Sequence, residues 1–395
     1  MHRTIVLACA CAVAALFPTA ARAIDAPTLQ TKLRNESALL GPAAGIYVRD
    51  LDTGRTLFQR KPDLRLMPAS NTKLLTTASA LLRLGPEATM RTSVLATAQP
   101  IDGVIRGDIV LVGGGDPYLT ESQIDELAAQ IVALGVRSIH GRVLADGGML
   151  DTRISARGGG FGFDSELGGR LGGLVVAQGS GRDPALRSAQ LLHDALRHAH
   201  VKLAGLPRSG AAPEGGIEIA VHDSAPLSSM IGAINVPSDN FGAEMLLKDL
   251  GALAGAGGTT TAGLGVVRTT LATTFGLHPQ VYDGSGLSRA NRITARQLVR
   301  LLTLMRGQPT GPVFEASLPT AGRTGTLKRR MRGGAARGSC HAKTGTLNDV
   351  SSLAGYCLSA NGRTIAFAFI ENRVCVSCAK SSEDRMTNAI ARYSG

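Results

Sequence analysis

The chain has 395 residues, of which 42 are Lys or Arg and 30 are Asp or Glu, so its formal net charge is +12. Tryptophan is absent and aromatic residues make up 4% of the chain, which leaves few side chains to stack on single-stranded bases. This length implies two domains or one domain with an insertion. The composition therefore argues against a nucleic-acid partner, and the positive charge favours other polyanions.

The first 23 residues have the pattern of a secretory signal peptide. Arg3 precedes an apolar run at residues 5–17, and the small-residue sequence Ala21-Arg22-Ala23 follows. Loss of Arg3 and Arg22 with this leader would reduce the net charge to +10. No later stretch reaches the ~18 apolar residues of a membrane-spanning helix. We expect a soluble periplasmic or secreted protein with no stable membrane anchor and with cell-wall material as its charged neighbour.

Four cysteines remain after this leader, and all lie within the last 56 residues: Cys340, Cys357, Cys375 and Cys378. An even number in an oxidising compartment predicts one or two disulfides, with three pairings open. The Cys375–Cys378 spacing also suits redox or zinc chemistry. However, no thioredoxin-like pattern surrounds this pair and no histidine lies close to it. We therefore expect structural bridges, no metal and no cofactor.

The first predicted elements are a hairpin and a long helix. Strand-like runs at residues 44–50 and 56–60 flank a glycine turn, and an apolar helical pattern follows at residues 67–84. Ser70 and Lys73 lie three residues apart at the start of this helix, so their side chains share a face. If the helix is buried, the pKa of Lys73 falls and its amine can take the proton of Ser70.

This S-x-x-K pattern is a weak signal alone, because a capping serine followed by a solvated lysine has the same spacing. A second copy occurs at Ser377-Cys378-Ala379-Lys380. The order of further motifs along the chain decides between the two interpretations.

A different pattern follows from about residue 93, with short strands and two helices bounded by glycine-rich loops. The glycine run at residues 113–117 lacks the G-K-[ST] ending of a phosphate-binding loop and ends in proline, which indicates a tight turn. The predicted strands are residues 93–97, 107–112 and 143–145, the helices 120–134 and 185–199, and the loops 158–163, 179–183 and 205–216.

The second motif, Ser238-Asp239-Asn240, begins a helical pattern at residues 238–252. Ser238 or Asp239 can cap this helix, which places the motif on a fixed loop–helix junction. A glycine-punctuated loop at residues 283–289 and a helical pattern at 291–305 come next.

The third motif, Lys343-Thr344-Gly345-Thr346, is predicted on the edge of a sheet, because strand-like runs follow at residues 350–358 and 364–370. The similar sequence at residues 323–327 precedes Lys328-Arg329-Arg330, which indicates a solvent-exposed loop.

The ordered S-x-x-K, S-D-N and K-T-G motifs resemble those of penicillin-binding proteins and serine β-lactamases. Longer strings resemble one branch, the class C low-molecular-mass D-alanyl-D-alanine carboxypeptidase/endopeptidases: P-A-S-N-T-K, G-D-I-V-L-V-G-G-G-D-P, P-S-D-N-F-G-A-E-M-L, Y-D-G-S-G-L-S-R and A-K-T-G-T-L. About 165 residues separate Lys73 from Ser238, more than a compact β-lactamase needs.

The resemblance implies an α/β (α+β) fold, namely a penicillin-binding or serine β-lactamase-like transpeptidase domain whose sheet is flanked by helices. The expected division is a signal peptide at 1–23, a transpeptidase-like first part at 24–94, an inserted α/β domain at 95–224 and a second part at 225–395.

The resemblance also implies residue roles. Ser70 forms an acyl-enzyme, Lys73 is its base, and Ser238 relays protons to the leaving D-alanine. The amide of Asn240 holds Lys73 and the substrate. The other roles are carboxylate binding by Lys343 and Thr344, an oxyanion hole from the backbone of Ser70 and Thr346, close substrate approach at Gly345, and contact with the diaminopimelyl end by Ser285, Arg289 and Leu347.

The implied activities are serine-type DD-carboxypeptidase and DD-endopeptidase action on peptidoglycan stem peptides, with β-lactam antibiotics as covalent inhibitors. Two alternatives stay open: a serine β-lactamase and a non-catalytic wall-binding scaffold. The ratio of the two peptidase activities, the residue at the third stem position and the oligomeric state are not predicted.

Overall fold

A computed structural model describes residues 23–156 and 162–395. The predicted leader, apart from its last residue, and most of the predicted loop at 158–163 lie outside the described residues. The strands are β1 (Ala44–Asp50), β2 (Thr56–Arg60), β3 (Arg91–Ala96), β4 (Val104–Ile105), β5 (Ile109–Val112), β6 (Ser138–Ile139), β7 (Val143–Asp146), β8 (Lys202–Leu203), β9 (Arg208–Ser209), β10 (Ile217–Asp223), β11 (Cys340–Leu347), β12 (Val350–Leu358) and β13 (Thr364–Asn372). The helices are α1 (Ala26–Ala38), α2 (Thr72–Leu84), α3 (Glu121–Ala133), α4 (Pro184–His198), α5 (Leu227–Asn235), α6 (Asn240–Ala254), α7 (Thr260–Phe275), α8 (Ala295–Arg306), α9 (Gly311–Ala316) and α10 (Val376–Ala391).

The larger sheet is antiparallel, with strand order β11-β12-β13-β1-β2. Strands β12 and β13 are buried on both faces. Their sequences are therefore nearly continuous runs of apolar and small residues and do not alternate between apolar and polar residues. Helices α1 and α10 cover one face, and α2 and α5 to α9 form the layer on the other. The prediction of a sheet flanked by helices is confirmed.

Helices α1 and α7 and the short helix α9 were not predicted. Asp25 caps α1, and Pro27 lies in its first turn. Helix α7 is rich in Thr and Gly, which are poor helix formers, so its own sequence is a weak signal. It packs against α6 so closely that a Cβ on Gly263 would lie 1.8 Å from the Leu247 carbonyl oxygen. Tertiary packing therefore explains this helix better than local propensity does.

The part between residues 91 and 223 has its own sheet and core. Its strand order is β10-β3-β5-β7-β9, with β5, β7 and β9 parallel and helices α3 and α4 packed beside them. A small parallel sheet of β4, β6 and β8 completes it. Strand β3 begins at Arg91, so the proposed domain boundary at residue 95 falls inside this strand. The inserted domain stays a proposal, and its start is moved a few residues earlier, to the beginning of β3.

The four described cysteines form two disulfides. Cys340 is bonded to Cys357 across the paired strands β11 and β12, and Cys375 is bonded to Cys378 at the start of α10. The structure thus selects one of the three pairings that the sequence left open. Among the described residues, no group of His, Cys, Asp and Glu is arranged to hold a metal ion.

Candidate functional site

The candidate nucleophile lies at the junction of a short turn and a buried helix. Residues Ala69–Asn71 form one 3₁₀ turn, and α2 continues from it with Thr72–Leu81 buried. Ser70 is partly exposed, whereas Lys73 is fully buried one turn later. The Lys73 Nζ donates a hydrogen bond to the Ser70 Oγ over 3.1 Å. Spacing alone predicted this contact, and the structure contains it.

Lys73 has two further acceptors, contributed by distant parts of the chain. Its Nζ lies 2.7 Å from the Asn240 Oδ1 and 2.7 Å from the Ser285 carbonyl oxygen. Burial lowers the pKa of Lys73 to about 8, although Asp283, Glu244 and Asp239 act in the opposite direction. A substantial neutral fraction therefore exists near neutral pH, as a general base for Ser70 requires.

We expect the acylation rate to rise about tenfold between pH 7 and pH 9 and then level off, since only the neutral amine of Lys73 accepts a proton. Burial also raises the pKa of Glu244 to about 8, so Glu244 and Lys73 both titrate in this pH range. Stopped-flow acylation by a β-lactam without ionisable groups in this range gives the profile.

The Glu244→Gln variant distinguishes the titration of Lys73 from that of Glu244. Loss of a negative charge near Lys73 lowers the pKa of that amine, so the rising limb should move to lower pH. Disappearance of the limb in this variant would assign it to Glu244 instead.

The second motif forms the turn that leads into α6. Ser238 has a left-handed backbone, with φ of +68°, and Asp239 caps the helix by accepting from the Phe241 backbone N–H. The Asn240 side chain faces Lys73. The Ser238 hydroxyl has no hydrogen-bond partner among the described residues, so the structure does not bring it into the Lys73 network.

The third motif lies on β11, the edge strand that was predicted, but its lysine is not at the surface. Lys343 is fully buried, and its Nζ donates to the Thr344 carbonyl oxygen over 2.9 Å. Burial lowers the pKa of Lys343 well below its usual range, and nearby Lys73 lowers it further. A ligand carboxylate entering here would favour the charged form of Lys343.

The second T-G-T sequence was predicted to be a solvent-exposed loop, and this prediction is wrong for Thr326. Its Oγ1 lies 2.8 Å from the Thr344 Oγ1, and its backbone N–H donates to the Val236 carbonyl oxygen. Thr326 therefore links the K-T-G strand to the segment before Ser238. The following basic residues suggested a solvent loop, but they do not determine where Thr326 packs.

Gly345 is required by packing between two elements. A Cβ there would lie 2.3 Å from the Ser352 Oγ, 2.6 Å from the Pro68 carbonyl oxygen and 3.1 Å from the Ser70 backbone nitrogen. The Ser352 Oγ also donates to the Pro68 carbonyl oxygen. Glycine at this position thus lets β11 approach the first turn of the nucleophile segment, a different reason from the expected approach of substrate.

Ser285 lies beneath the site and not in the groove. It is fully buried, its carbonyl oxygen accepts from Lys73, and its backbone N–H donates to the Glu244 Oε1 over 2.7 Å. Glu244 also accepts from the Gly284 N–H. Through these contacts the backbone of Ser285 belongs to the Lys73 network, and contact of Ser285 with substrate stays a prediction. Glu244 was missed, although a lone acid in the apolar run after Asn240 was a usable signal.

A groove of about 1370 Å³ runs beside the motifs and is lined by Glu166, Asn240, Arg289, Thr346 and Leu347, among others. Arg289 is 54% exposed, and its guanidinium lies 2.7 Å from the Asp349 Oδ1. The groove brings together Arg289, Thr346 and Leu347 as predicted neighbours. Arg289 already has an acidic partner in the protein.

Comparisons with known proteins show a family and a shared fold. The family model of the D-Ala-D-Ala carboxypeptidase 3 (S13) family matches residues 26–159 and 175–393. A D-alanyl-D-alanine carboxypeptidase from Actinomadura sp. (strain R39) is 30% identical, with 91% of this chain and 83% of the relative covered.

Two solved structures show the same fold. Penicillin binding protein 4 (dacB) from Haemophilus influenzae has a TM-score of 0.79 at 18% identity, with 91% of this chain and 99% of that chain covered. A penicillin G acylated predatory endopeptidase from Bdellovibrio bacteriovorus has a TM-score of 0.54 at 18% identity, with coverages of 86% and 87%.

Proposed function

Because the chain belongs to the D-Ala-D-Ala carboxypeptidase 3 (S13) family, we propose that its Ser70 is acylated by peptidoglycan stem peptides and releases their terminal D-alanine. The protein is a serine-type hydrolase of this family. The observation that carries the assignment of residues is the buried, hydrogen-bonded Lys73, whose pKa of about 8 suits a base for Ser70.

In the proposed reaction, the Lys73 amine takes the Ser70 hydroxyl proton while the Ser70 oxygen attacks the peptide carbonyl carbon. The C–N bond to the terminal D-alanine then breaks, and the leaving nitrogen receives a proton through the Ser238 hydroxyl. Water next attacks the ester, Lys73 accepts a proton from that water, and the Ser70 oxygen leaves and is reprotonated. Each step conserves protons, so no cofactor is needed.

The other motif residues are proposed to hold the substrate. The backbone N–H groups of Ser70 and Thr346 would stabilise the oxyanion. In a studied protease, each such donor stabilises the transition state by about 2.7–4 kcal/mol. Lys343 and Thr344 would bind the terminal carboxylate. Thr326 supports this role by holding the side chain of Thr344 in place, because the Thr326 Oγ1 accepts a hydrogen bond from the Thr344 hydroxyl.

Endopeptidase activity follows from the same acylation step if the groove accepts a cross-linked peptide as the leaving group. Its volume of about 1370 Å³ supports this proposal. Arg289 and Leu347 would contact the diaminopimelyl end, where a substrate carboxylate would compete with Asp349 for the guanidinium. We also propose that β-lactams acylate Ser70, since they present a reactive acyl group to the same nucleophile.

We further propose that the protein acts outside the cytoplasmic membrane, where its substrate lies. The signal-peptide pattern at residues 1–23 supports export. Within residues 23–156 and 162–395, no helix is both long enough and apolar enough to cross a membrane.

The test is the release of D-alanine from a pentapeptide ending in D-Ala-D-Ala, measured beside cleavage of a cross-linked dimer peptide. We expect release of D-alanine by the wild type and none by a Ser70→Ala control. Rapid turnover of a chromogenic cephalosporin without D-alanine release would instead identify a β-lactamase. Absence of both reactions, with no penicillin adduct, would leave the scaffold interpretation.

A further inference from the structure

The S-D-N motif makes two hydrogen bonds with the inserted part of the chain, one as acceptor and one as donor. The Tyr118 hydroxyl donates to the Asp239 Oδ2 over 2.8 Å, and the Glu166 carbonyl oxygen accepts from the Asn240 Nδ2 over 2.7 Å. Tyr118, the donor of the first bond, and Glu166, the acceptor of the second, lie on segments between β5 and α4, outside the transpeptidase-like part of the sequence. The second and third residues of this motif are therefore both held by the insertion.

The turn that they hold has an unfavourable backbone. Ser238 has a φ of +68°, a left-handed conformation that L-residues other than glycine rarely adopt and that persists only when surrounding contacts stabilise it. Asp239 follows directly, and its two carboxylate oxygens have separate roles. Its Oδ1 caps α6 at the Phe241 N–H, whereas its Oδ2 accepts from Tyr118.

Tyr118 is itself firmly placed. Its backbone N–H donates to the Asp116 Oδ1 over 2.8 Å, and its ring packs on the main apolar core. A Cβ on Gly242 would lie 2.3 Å from the Tyr118 hydroxyl oxygen, so glycine at this position of α6 leaves room for the contact. Burial raises the pKa of Tyr118 far above its usual range, which keeps the hydroxyl protonated as a donor.

The contact at Asn240 determines which way its amide points. With Nδ2 donating to the Glu166 carbonyl oxygen, Oδ1 faces Lys73 as an acceptor. The segment that carries Glu166 is anchored by the buried Leu167, which belongs to one apolar cluster with Phe241. A change in this segment would therefore reach Lys73 through a single side chain.

We propose that the inserted part is a positioning element of the active site, in which the Tyr118 hydroxyl holds the Ser238–Asp239 turn and the Glu166 carbonyl orients Asn240 towards Lys73. Neither residue is assigned contact with the reacting atoms. The inference rests on the proposed acylation of Ser70, and it gives the insertion a role in that chemistry.

Tyr118→Phe removes only the hydroxyl and keeps the ring. We expect its second-order acylation rate with a fluorescent penicillin to fall about 10- to 100-fold, because displacing a catalytic group by ~1 Å costs about 100-fold. With a peptide substrate, kcat should fall while KM changes little, since the groove residues are untouched. Leu167→Ala, which loosens the Glu166 segment, should reduce acylation in the same direction.

The matched control is Tyr356→Phe. Tyr356 is fully buried, whereas Tyr118 is partly buried, and the Tyr356 hydroxyl donates over 2.7 Å to the backbone carbonyl oxygen of Leu302, in the helix layer away from the S-D-N motif. This variant should lose thermal stability with acylation unchanged. If Tyr118→Phe lowers the melting temperature as Tyr356→Phe does but acylates at the wild-type rate, Tyr118 is only structural. Failure of the wild type to be labelled would instead overturn the proposed function.

Discussion

Replacing Ser70 by alanine should abolish covalent labelling by penicillin and reduce peptidase turnover by roughly a million-fold, the loss seen when a serine protease loses its nucleophile. Ser70 is the hydroxyl that Lys73 contacts at 3.1 Å, and it is partly exposed. Because the alanine variant keeps the other two acceptors of Lys73, we expect it to fold with nearly unchanged thermal stability. Intact-mass spectrometry after brief exposure to penicillin gives the result.

The second S-x-x-K sequence provides the control. Ser377 is exposed in the first turn of α10, next to the disulfide of Cys375, and Lys380 is only partly buried. Ser377→Ala should therefore be labelled at the wild-type rate. An adduct mapped to a peptide containing Ser377, or one that persists in Ser70→Ala, would refute the assignment of the nucleophile.

Replacing Lys73 by methionine should lower the acylation rate about 100- to 10,000-fold, the usual contribution of a general base. Methionine fills a similar volume but cannot accept a proton. Stability is affected in two opposing ways. The variant no longer buries a desolvated amine, but the Asn240 Oδ1 and the Ser285 carbonyl oxygen lose their donor at about 1–3 kcal/mol each. Acylation kinetics and a thermal melt, run together, separate loss of chemistry from loss of fold.

The pH dependence makes this prediction specific to the base. The rising limb between pH 7 and pH 9 should disappear in Lys73→Met, because the titrating amine is gone. Lys380→Met, at the second S-x-x-K sequence, should keep both the rate and the limb. A Lys73→Met rate within tenfold of the wild type would place the base elsewhere, with the Ser238 hydroxyl as the next group to test.

Local sequence was sufficient to predict the contact between Ser70 and Lys73. Ser70 and Lys73 meet because helical spacing brings residues three apart onto one face, and the apolar residues that follow bury the lysine. The antiparallel strands β11, β12 and β13 could also be predicted from the sequence, since short turns join apolar runs of strand length. Such features depend on residues that are close together in the chain, so they can be predicted without knowledge of the fold.

Contacts between distant segments decided the rest. Nothing in the residues beside Lys343 indicates that it is buried with no acidic partner among the described residues, or that the Ser285 carbonyl oxygen contacts Lys73. Tyr118 meets Asp239 across 121 residues of sequence, and Glu166 meets Asn240 across 74. These pairs exist because the insertion packs on α6. No short stretch of sequence predicts these pairs, since they depend on how surfaces that are far apart in the sequence fit together.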